Sequence, residues 1–359
     1  MSHETGAEKR KGKKIVLQRG HASSEEHTAL RQKQTSMKEA FELFISVKEA
    51  ENVKPRTKKE YFVQYRYFTD WLQDFHPEIV HIDEITTSMV RSYINYLASE
   101  KVRYEGIPNR QDKSSSLKGL SPYTINIRIR FLKCWFNVLV KERLLQNSPV
   151  NNIKLMKVDE DTKEPLTEDE VRLLLQQPNQ RQYAQFRDYV MMMLFIDSGM
   201  RVQEVSSLDV EDIDFTSRCI HLPAIKNKNR KSRIIPLSNE VIRLLQDLIH
   251  ETRNHFDTNA VFTSNFGERL TPDGIRTNIS KYARRAGISK TVSPHAFRRF
   301  YAKHSVLNGM DLFSLQRILG HADITTTRRY VQLNKEDLVL QHNQFSPLAN
   351  VIRRKKRRG

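Results

Sequence analysis

At 359 residues, 38% of them hydrophobic and 28% charged, the chain is long enough for two domains with separate cores, and no apolar run approaches the roughly 18 residues that a membrane span needs. Sixty Lys and Arg against 42 Asp and Glu leave a formal net charge of +18, a field that favours polyanions and nucleic acid above all. Cys134 and Cys219 lie outside any C-x-x-C pattern, which argues against a zinc site or a disulfide framework, and the N-terminus lacks the apolar stretch of a secretory signal, so a cytoplasmic protein, nucleoid-associated if it binds DNA, or a nuclear one if the source has a nucleus, is expected.

Residues 1–35 are polar and rich in Lys, Arg, Glu and Ser, and read as a flexible basic arm. Residues 36–148 are helical in pattern throughout. "SMKEAFELFISVKEA" carries Phe41, Leu43, Phe44 and Val47 at helix spacing. Thr57 is placed to cap "KKEYFVQYRYFTDWLQDF", whose Tyr61, Tyr65, Phe68 and Leu72 form one apolar stripe. "MVRSYINYLASE" comes next, then a basic loop, "RYEGIPNRQDKSSSLKG". Ser121 as cap and Pro122 in the first turn open the fourth helix, "SPYTINIRIRFLKCWFNVLVKERLL". Four helices with Lys and Arg on their polar faces suit a bundle lying against a duplex, and equally an all-helical packing domain with no ligand.

Residues 149–165 combine Pro, Asn and charge without a period and read as a linker. Thr167 and Glu170 then form a capping box that opens a second domain, 166–346. That domain is mostly helical, interrupted by "RCIHLPAIKNKNRKSRIIPL", which reads as two short antiparallel strands around a polar turn. The mainly α fold expected is thus a helical N-terminal bundle followed by a helical domain with a small antiparallel sheet. Residues 347–359, including "RRKKRR", form a basic tail placed to follow a phosphate backbone or simply to be solvated.

Four stretches of the second domain carry chemistry. In "DSGMRVQEVSSL", Gly199 ends an apolar helix and Arg201 and Glu204 stand three apart on one face of the next; an arginine braced by a carboxylate is held as bidentate phosphate recognition requires, although R-x-x-E is also a common surface pair. In "SPHAFRRFYAKH", Ser293 is a candidate cap, His295 and Arg298 lie one turn apart near a helix start, and Arg299 points elsewhere; the bland alternative is a partly buried structural histidine. The turn "KNKNRKSR" offers Lys226, Lys228, Arg230 and Lys231 as proton donors or as an exposed tip. In "LGHADITTTRRY", a helix ends at Gly320, His321 is next, and Tyr330 comes nine residues later. An unperturbed phenol, with a pKa of about 10, is a poor nucleophile, but arginines and histidines nearby favour phenolate and neutralise a phosphate. No G-x-x-x-x-G-K-[ST] loop is present, and the acidic runs "DEDTKE" and "DVEDID" sit beside linker and turn signals, so neither a nucleotide nor a metal cofactor is expected.

Taken in order, "GMRVQE", "NKNRKSRIIPL", "HAFR" and "LGHADITTTRRY" resemble the tyrosine recombinases, the phage integrase family. The resemblance implies a site-specific recombinase that cuts and rejoins double-stranded DNA through a 3′-phosphotyrosyl intermediate, working as a homo-tetramer on two duplexes, with accessory DNA-bending or element-encoded proteins as further candidate partners. It implies a core-binding first domain and a catalytic second one. Residue by residue, it makes Tyr330 the nucleophile, Arg201 and Arg298 the phosphate clamp, His295 the proton-transfer partner, His321 a phosphate hydrogen-bond donor, Lys228 the proton donor to the departing 5′ oxygen, and Glu204 the residue that orients Arg201. Asn227 and Asn229 stand where the family usually has glycines, so Lys226 and Lys231 remain rivals of Lys228; Arg299 stands where histidine is frequent. The segment after the tyrosine, "LNKEDLVLQHNQFSPL", is expected to form a helix that docks on a neighbouring protomer. A type IB topoisomerase-like nicking and resealing enzyme, a catalytically silent DNA-binding regulator and a metal-dependent nuclease are the alternative readings.

Overall fold

The computed structural model describes residues 35–102, 117–158, 164–226, 231–331 and 333–348. The described residues divide between Asp161 and Thr162 into two compact units. Lys228, like the basic arm at 1–34, most of the 103–119 loop and the tail from 349, lies outside them.

The first unit contains α1 (Met37–Ala50), α2 (Pro55–Phe75), α3 (Thr87–Ser99) and α4 (Pro122–Lys141). Ser36 and Glu39 cap α1 reciprocally, and Ser121 accepts the Thr124 N–H at the start of α4. Helix α2 starts two residues before the expected Thr57 cap, because Pro55, its φ already fixed for helix, occupies the first turn. Trp135 is fully buried at the centre of an aromatic core, in edge contact with Phe41, Tyr65 and Phe68. The basic residues are not all on polar faces: Arg128 is buried, its guanidinium 4.1 Å from the Tyr67 ring centroid, and it donates to the Tyr93 hydroxyl at 3.3 Å. The first part of the segment read as a linker also packs on this unit. Val150 and Ile153 are buried in its core, and the Asn126 amide makes a reciprocal pair with the Met156 backbone at 2.9 and 2.8 Å.

In the second unit the Thr167–Glu170 capping box opens α5 (Glu168–Leu175). After it come α6 (Tyr183–Ser198), α7 (Val202–Ser206), β1 (Ile213–Asp214), β2 (Cys219–Leu222), β3 (Arg233–Pro236), α8 (Asn239–His255) and α9 (Pro272–Arg285). The chain then runs through α10 (Pro294–Leu307), α11 (Leu312–Leu319), α12 (Ile324–Tyr330) and α13 (Lys335–Phe345). The sheet has three strands in the order β1-β2-β3, all antiparallel, with Leu222 opposite Arg233. Strand β1, only two residues long, leaves no period to read in the sequence. Helix α6, apolar nearly all round, buries Val190, Met191, Leu194 and Phe195 in the core, and Phe195 stacks on Phe297 of α10.

Two glycines in the left-handed region end helices at points of close packing. Gly199, φ 60°, closes α6; a Cβ there would lie 2.6 Å from the Tyr301 ring and 2.9 Å from Leu319. Gly320, φ 65°, closes α11, where a Cβ would meet the Arg233 side chain at 3.0 Å. Each turn points a backbone carbonyl at an arginine.

Candidate active site

Arg298 of α10 and Glu204 are the most enclosed charges among the described residues of the unit. Arg298 is 1% exposed; its Nη1 donates to the Gly199 carbonyl at 2.6 Å, and its Nη2 donates to the Leu319 carbonyl at 2.7 Å and to His321 Nε2 at 2.8 Å. Its Nε is buried without a partner among the described residues. An arginine only donates, so His321 Nε2 must be the lone-pair nitrogen, and the proton sits on Nδ1, which donates to Thr327 Oγ1 at 2.9 Å. Burial, and then the charges of Arg298, Arg201 and Arg233, push His321 down to about 3, so it is neutral at physiological pH. Burial and the neighbouring Arg201 also lower Arg298, to about 9, which leaves it protonated.

Arg201 is not inside the helix as the spacing suggested; it is the residue before α7, and Glu204 is the third residue of that short helix. The pairing survives in another form. Glu204 Oε2 accepts the Arg201 backbone N–H at 2.8 Å and Oε1 accepts Arg201 Nη1 at 2.9 Å, while Arg201 Nη2 reaches the Gly320 carbonyl at 3.4 Å. Glu204 is 1% exposed, and a second arginine holds it: Arg233 donates to both carboxylate oxygens, at 3.1 and 2.7 Å. Burial alone would raise the Glu204 carboxyl, but the bonds from Arg233 and the charges of both arginines hold it below the usual carboxylate range.

Tyr330 is the last residue of α12. Its ring stacks on His321 at a centroid distance of 5.1 Å, and the Arg298 guanidinium carbon lies 5.5 Å from its centroid. Its side chain packs on a small apolar cluster of Ala302, Leu315 and Leu319. The guanidinium over the phenol therefore comes from α10, 32 positions earlier in the numbering, and not from its sequence neighbour Arg328, which is exposed.

His295 stands near this cluster but, among the described residues, makes no hydrogen bond to its members. Ser293 does not cap α10 through its side chain; its carbonyl accepts the Ala296 N–H at 2.7 Å instead. Partial burial and the charges of Arg298, Arg299, Arg276 and Arg201 lower His295 below the ordinary histidine value. Arg299, expected to point elsewhere, adds its charge to those that lower His295, and its Nε is buried without a partner among the described residues.

The three lysine candidates separate. Lys226 is committed to structure, its Nζ paired with Asp209 at 2.6 Å and also with Asp212, and these carboxylates outweigh burial and raise its pKa. Held by these carboxylates, Lys226 suits the role of proton donor poorly, since a donor works best with a pKa near the working pH. Lys228 lies outside the described residues. Lys231 is exposed and lines a cleft of about 960 Å³ together with Arg233, Gly320 and His321.

The site thus brings together Arg201, Glu204, Arg298, His321 and Tyr330 from four separate elements, with His295 at its edge. Two further residues were missed in the sequence, Arg233 and Thr327. Arg233 had a signal: it falls on an inward-facing strand position, beside the exposed Ile234 and in register with buried Leu222, where an unpaired charge is costly. Thr327 lies one helical turn before Tyr330 and is fully buried, but a run of three threonines does not say which one faces inward. Among the described residues no His, Cys, Asp and Glu cluster is arranged to hold a metal ion, and no helix is long and apolar enough to cross a membrane.

Residues 164–337 match the profile of the phage integrase family, and residues 36–155 match the phage integrase SAM-like domain. The chain is 30% identical over 286 residues to the tyrosine recombinase XerD of Staphylococcus epidermidis, an alignment covering 79% of this chain and 89% of that one. Two solved structures share the fold at lower identity. The Tn1549 transposon integrase in complex with transposon right end DNA is 20% identical with a TM-score of 0.65, covering 87% of this chain and all of that one. A lambda integrase tetramer bound to a Holliday junction is 15% identical with a TM-score of 0.63, covering 84% of this chain and 78% of that one. The chain belongs to the phage integrase family and is a site-specific tyrosine recombinase, a DNA strand-transfer enzyme.

Proposed function

We propose that Tyr330 is the nucleophile of strand cleavage and that Arg201 and Arg298 clamp the scissile phosphate of a double-stranded recombination site. The observation that carries this is a charge excess: the guanidiniums of Arg201, Arg233 and Arg298 gather around Glu204, the one carboxylate bonded to any of them among the described residues, and the phenol stacks in the same cluster. Buried positive charge without a matching anion is costly, and a phosphodiester supplies the anion.

In the first step the Tyr330 oxygen attacks phosphorus while the bond to the 5′ oxygen breaks. The phenolic proton passes to neutral His295, and a lysine protonates the departing 5′ oxygen. In the second step a 5′ hydroxyl of another strand attacks the 3′-phosphotyrosyl bond, and Tyr330 recovers its proton. One ester replaces another, so the exchange needs no external energy source. For His321 to donate to the phosphate, its single proton moves from Nδ1 to Nε2 once Arg298 turns to the phosphate, and Nδ1 then accepts from the Thr327 hydroxyl. Removing one clamp arginine would cost about 3 kcal/mol of transition-state stabilisation, by analogy with an oxyanion-hole donor.

Lys228 is assigned as the proton donor, with Lys231 as the alternative that the cleft favours. Lys228→Ala and Lys231→Ala, each tested on a duplex whose departing 5′ oxygen is replaced by sulfur, separate the two. The variant that lacks the true donor regains cleavage, because a thiolate leaves without protonation; rescue of neither would sink both assignments. Tetramer assembly on two duplexes and accessory DNA-bending or element-encoded proteins belong to this reading. The recombinase relative supports reading Tyr330 as acting in strand transfer and not in swivelling, so joined molecules are expected as products, not relaxed circles.

A further inference from the structure

Arg233 opens β3 at the point where the lysine-bearing turn returns to the sheet, and its side chain is 5% exposed. All three guanidinium nitrogens are engaged: Nη1 and Nη2 on the two oxygens of Glu204, and Nε on the Ile318 carbonyl at 2.8 Å. The Glu204 oxygens are shared evenly. Oε1 takes Arg233 Nη1 and Arg201 Nη1, and Oε2 takes Arg233 Nη2 and the Arg201 backbone N–H. A carboxylate has about four acceptor positions, so Glu204 is saturated, and its orientation is set by Arg233 as much as by Arg201.

The second anchor acts on the other side of the site. Ile318 lies in the last turn of α11, whose next carbonyl, Leu319, receives Arg298 and whose next residues are Gly320 and His321. The space that a Cβ at Gly320 would need is filled by Arg233 Cδ and Nη1, each 3.0 Å away. One side chain from the sheet therefore contacts the supports of both clamp arginines: Glu204, which holds Arg201, and the end of α11, whose Leu319 carbonyl holds Arg298.

We propose that Arg233 is a positioning residue for DNA strand cleavage: it fixes Glu204 and through it Arg201, and ties the end of α11 to the strand that succeeds the lysine turn. The inference rests on the reading of Arg201 as a clamp residue. Lysine at 233 keeps the charge but cannot span both oxygens of Glu204 and the Ile318 carbonyl at once, whereas glutamine loses the charge as well.

The test uses the full chain and nicked duplex fragments of the genomic DNA that carries its gene, from which the unchanged protein captures its cleavage site covalently. Adduct formation on that captured duplex is timed at saturating protein, beside duplex retention in a gel, for Arg233→Lys, Arg233→Gln, Glu204→Gln, Arg201→Lys and the doubles of each with Arg201→Lys. The expected result is that Arg233→Lys slows adduct formation about tenfold to a hundredfold with retention unchanged, as small misplacements of a clamp do. In the Arg201→Lys background the further loss should be under about threefold, and Glu204→Gln should behave in the same way. Full multiplicative losses in that background, or an unchanged rate in Arg233→Lys, would overturn the proposal. If Arg233→Lys alone fails to fold, Arg233→Gln and its double with Arg201→Lys decide by the same outcomes. If Arg201→Lys itself leaves cleavage intact, the clamp reading fails instead, so the two failures are told apart.

Discussion

Arg298 holds its charge in a nearly sealed position because two helix ends and an imidazole surround it with acceptors: the Gly199 and Leu319 carbonyls and His321 Nε2. Lysine at this position would keep a charge but not the planar fork, so Arg298→Lys should slow covalent adduct formation about a hundredfold while leaving duplex retention near that of the unchanged protein. Equal loss of cleavage and retention would point to a damaged fold. His321 gives a second test, in the absence of DNA. Its folded-state pKa of about 3 lies below the roughly 6.5 of an unfolded histidine, so between those values the unfolded chain binds more protons. The stability it contributes is present above about 6.5 and is lost as pH falls toward 3. Thermal melts should therefore show a larger drop from pH 7 to pH 5 for the unchanged protein than for His321→Gln; parallel curves would contradict the buried neutral imidazole. His295, also lowered, should already be neutral at pH 7, so the acid limb of adduct formation should fall below the pH at which a free histidine titrates.

The helix ends assemble the site, and their caps were the most legible part of the sequence. The Thr167–Glu170 box, Ser121 with Pro122, and the glycines at 199 and 320 fall where the residue types require. Less legible were elements too short to carry a period, such as β1 and α7, and helix starts without a side-chain cap, as at α2, which opens on Pro55 after Lys54, and at α10, where the Ser293 carbonyl accepts the Ala296 N–H. The pairing of Arg201 with Glu204 was legible because three residues of chain separate them. Arg233 was not, because 29 residues separate it from Glu204 and only the fold closes that gap. Gly199→Ala should show how tightly these ends are built: the left-handed φ costs about 1 kcal/mol for an L side chain, and the clash with Tyr301 and Leu319 about 1–3 kcal/mol more. A melting temperature lowered by several degrees is expected, and an unchanged one would mean that α6 and α10 can part at no cost.

Helix α13 shows what a single chain leaves unfinished. In the single chain it packs on α10 through the Lys303–Asp337 pair at 2.6 Å and through Gln341, which donates to the Val306 and Leu307 carbonyls. It nevertheless leaves Leu338, Val339, Leu340 and Phe345 more than half exposed. Deleting residues 335–359 should therefore abolish tetramers on DNA in sedimentation while sparing monomer binding, and unchanged assembly would refute that role. The central assignment is tested most directly by covalent trapping. The protein is incubated, in chelator, with nicked duplex fragments spanning the ends of its own genetic element, and a denaturant-resistant protein–DNA adduct is sought and mapped by peptide sequencing. An adduct on Tyr330 that disappears in Tyr330→Phe is the expected result; tight binding without an adduct, or an adduct on another residue, would contradict it.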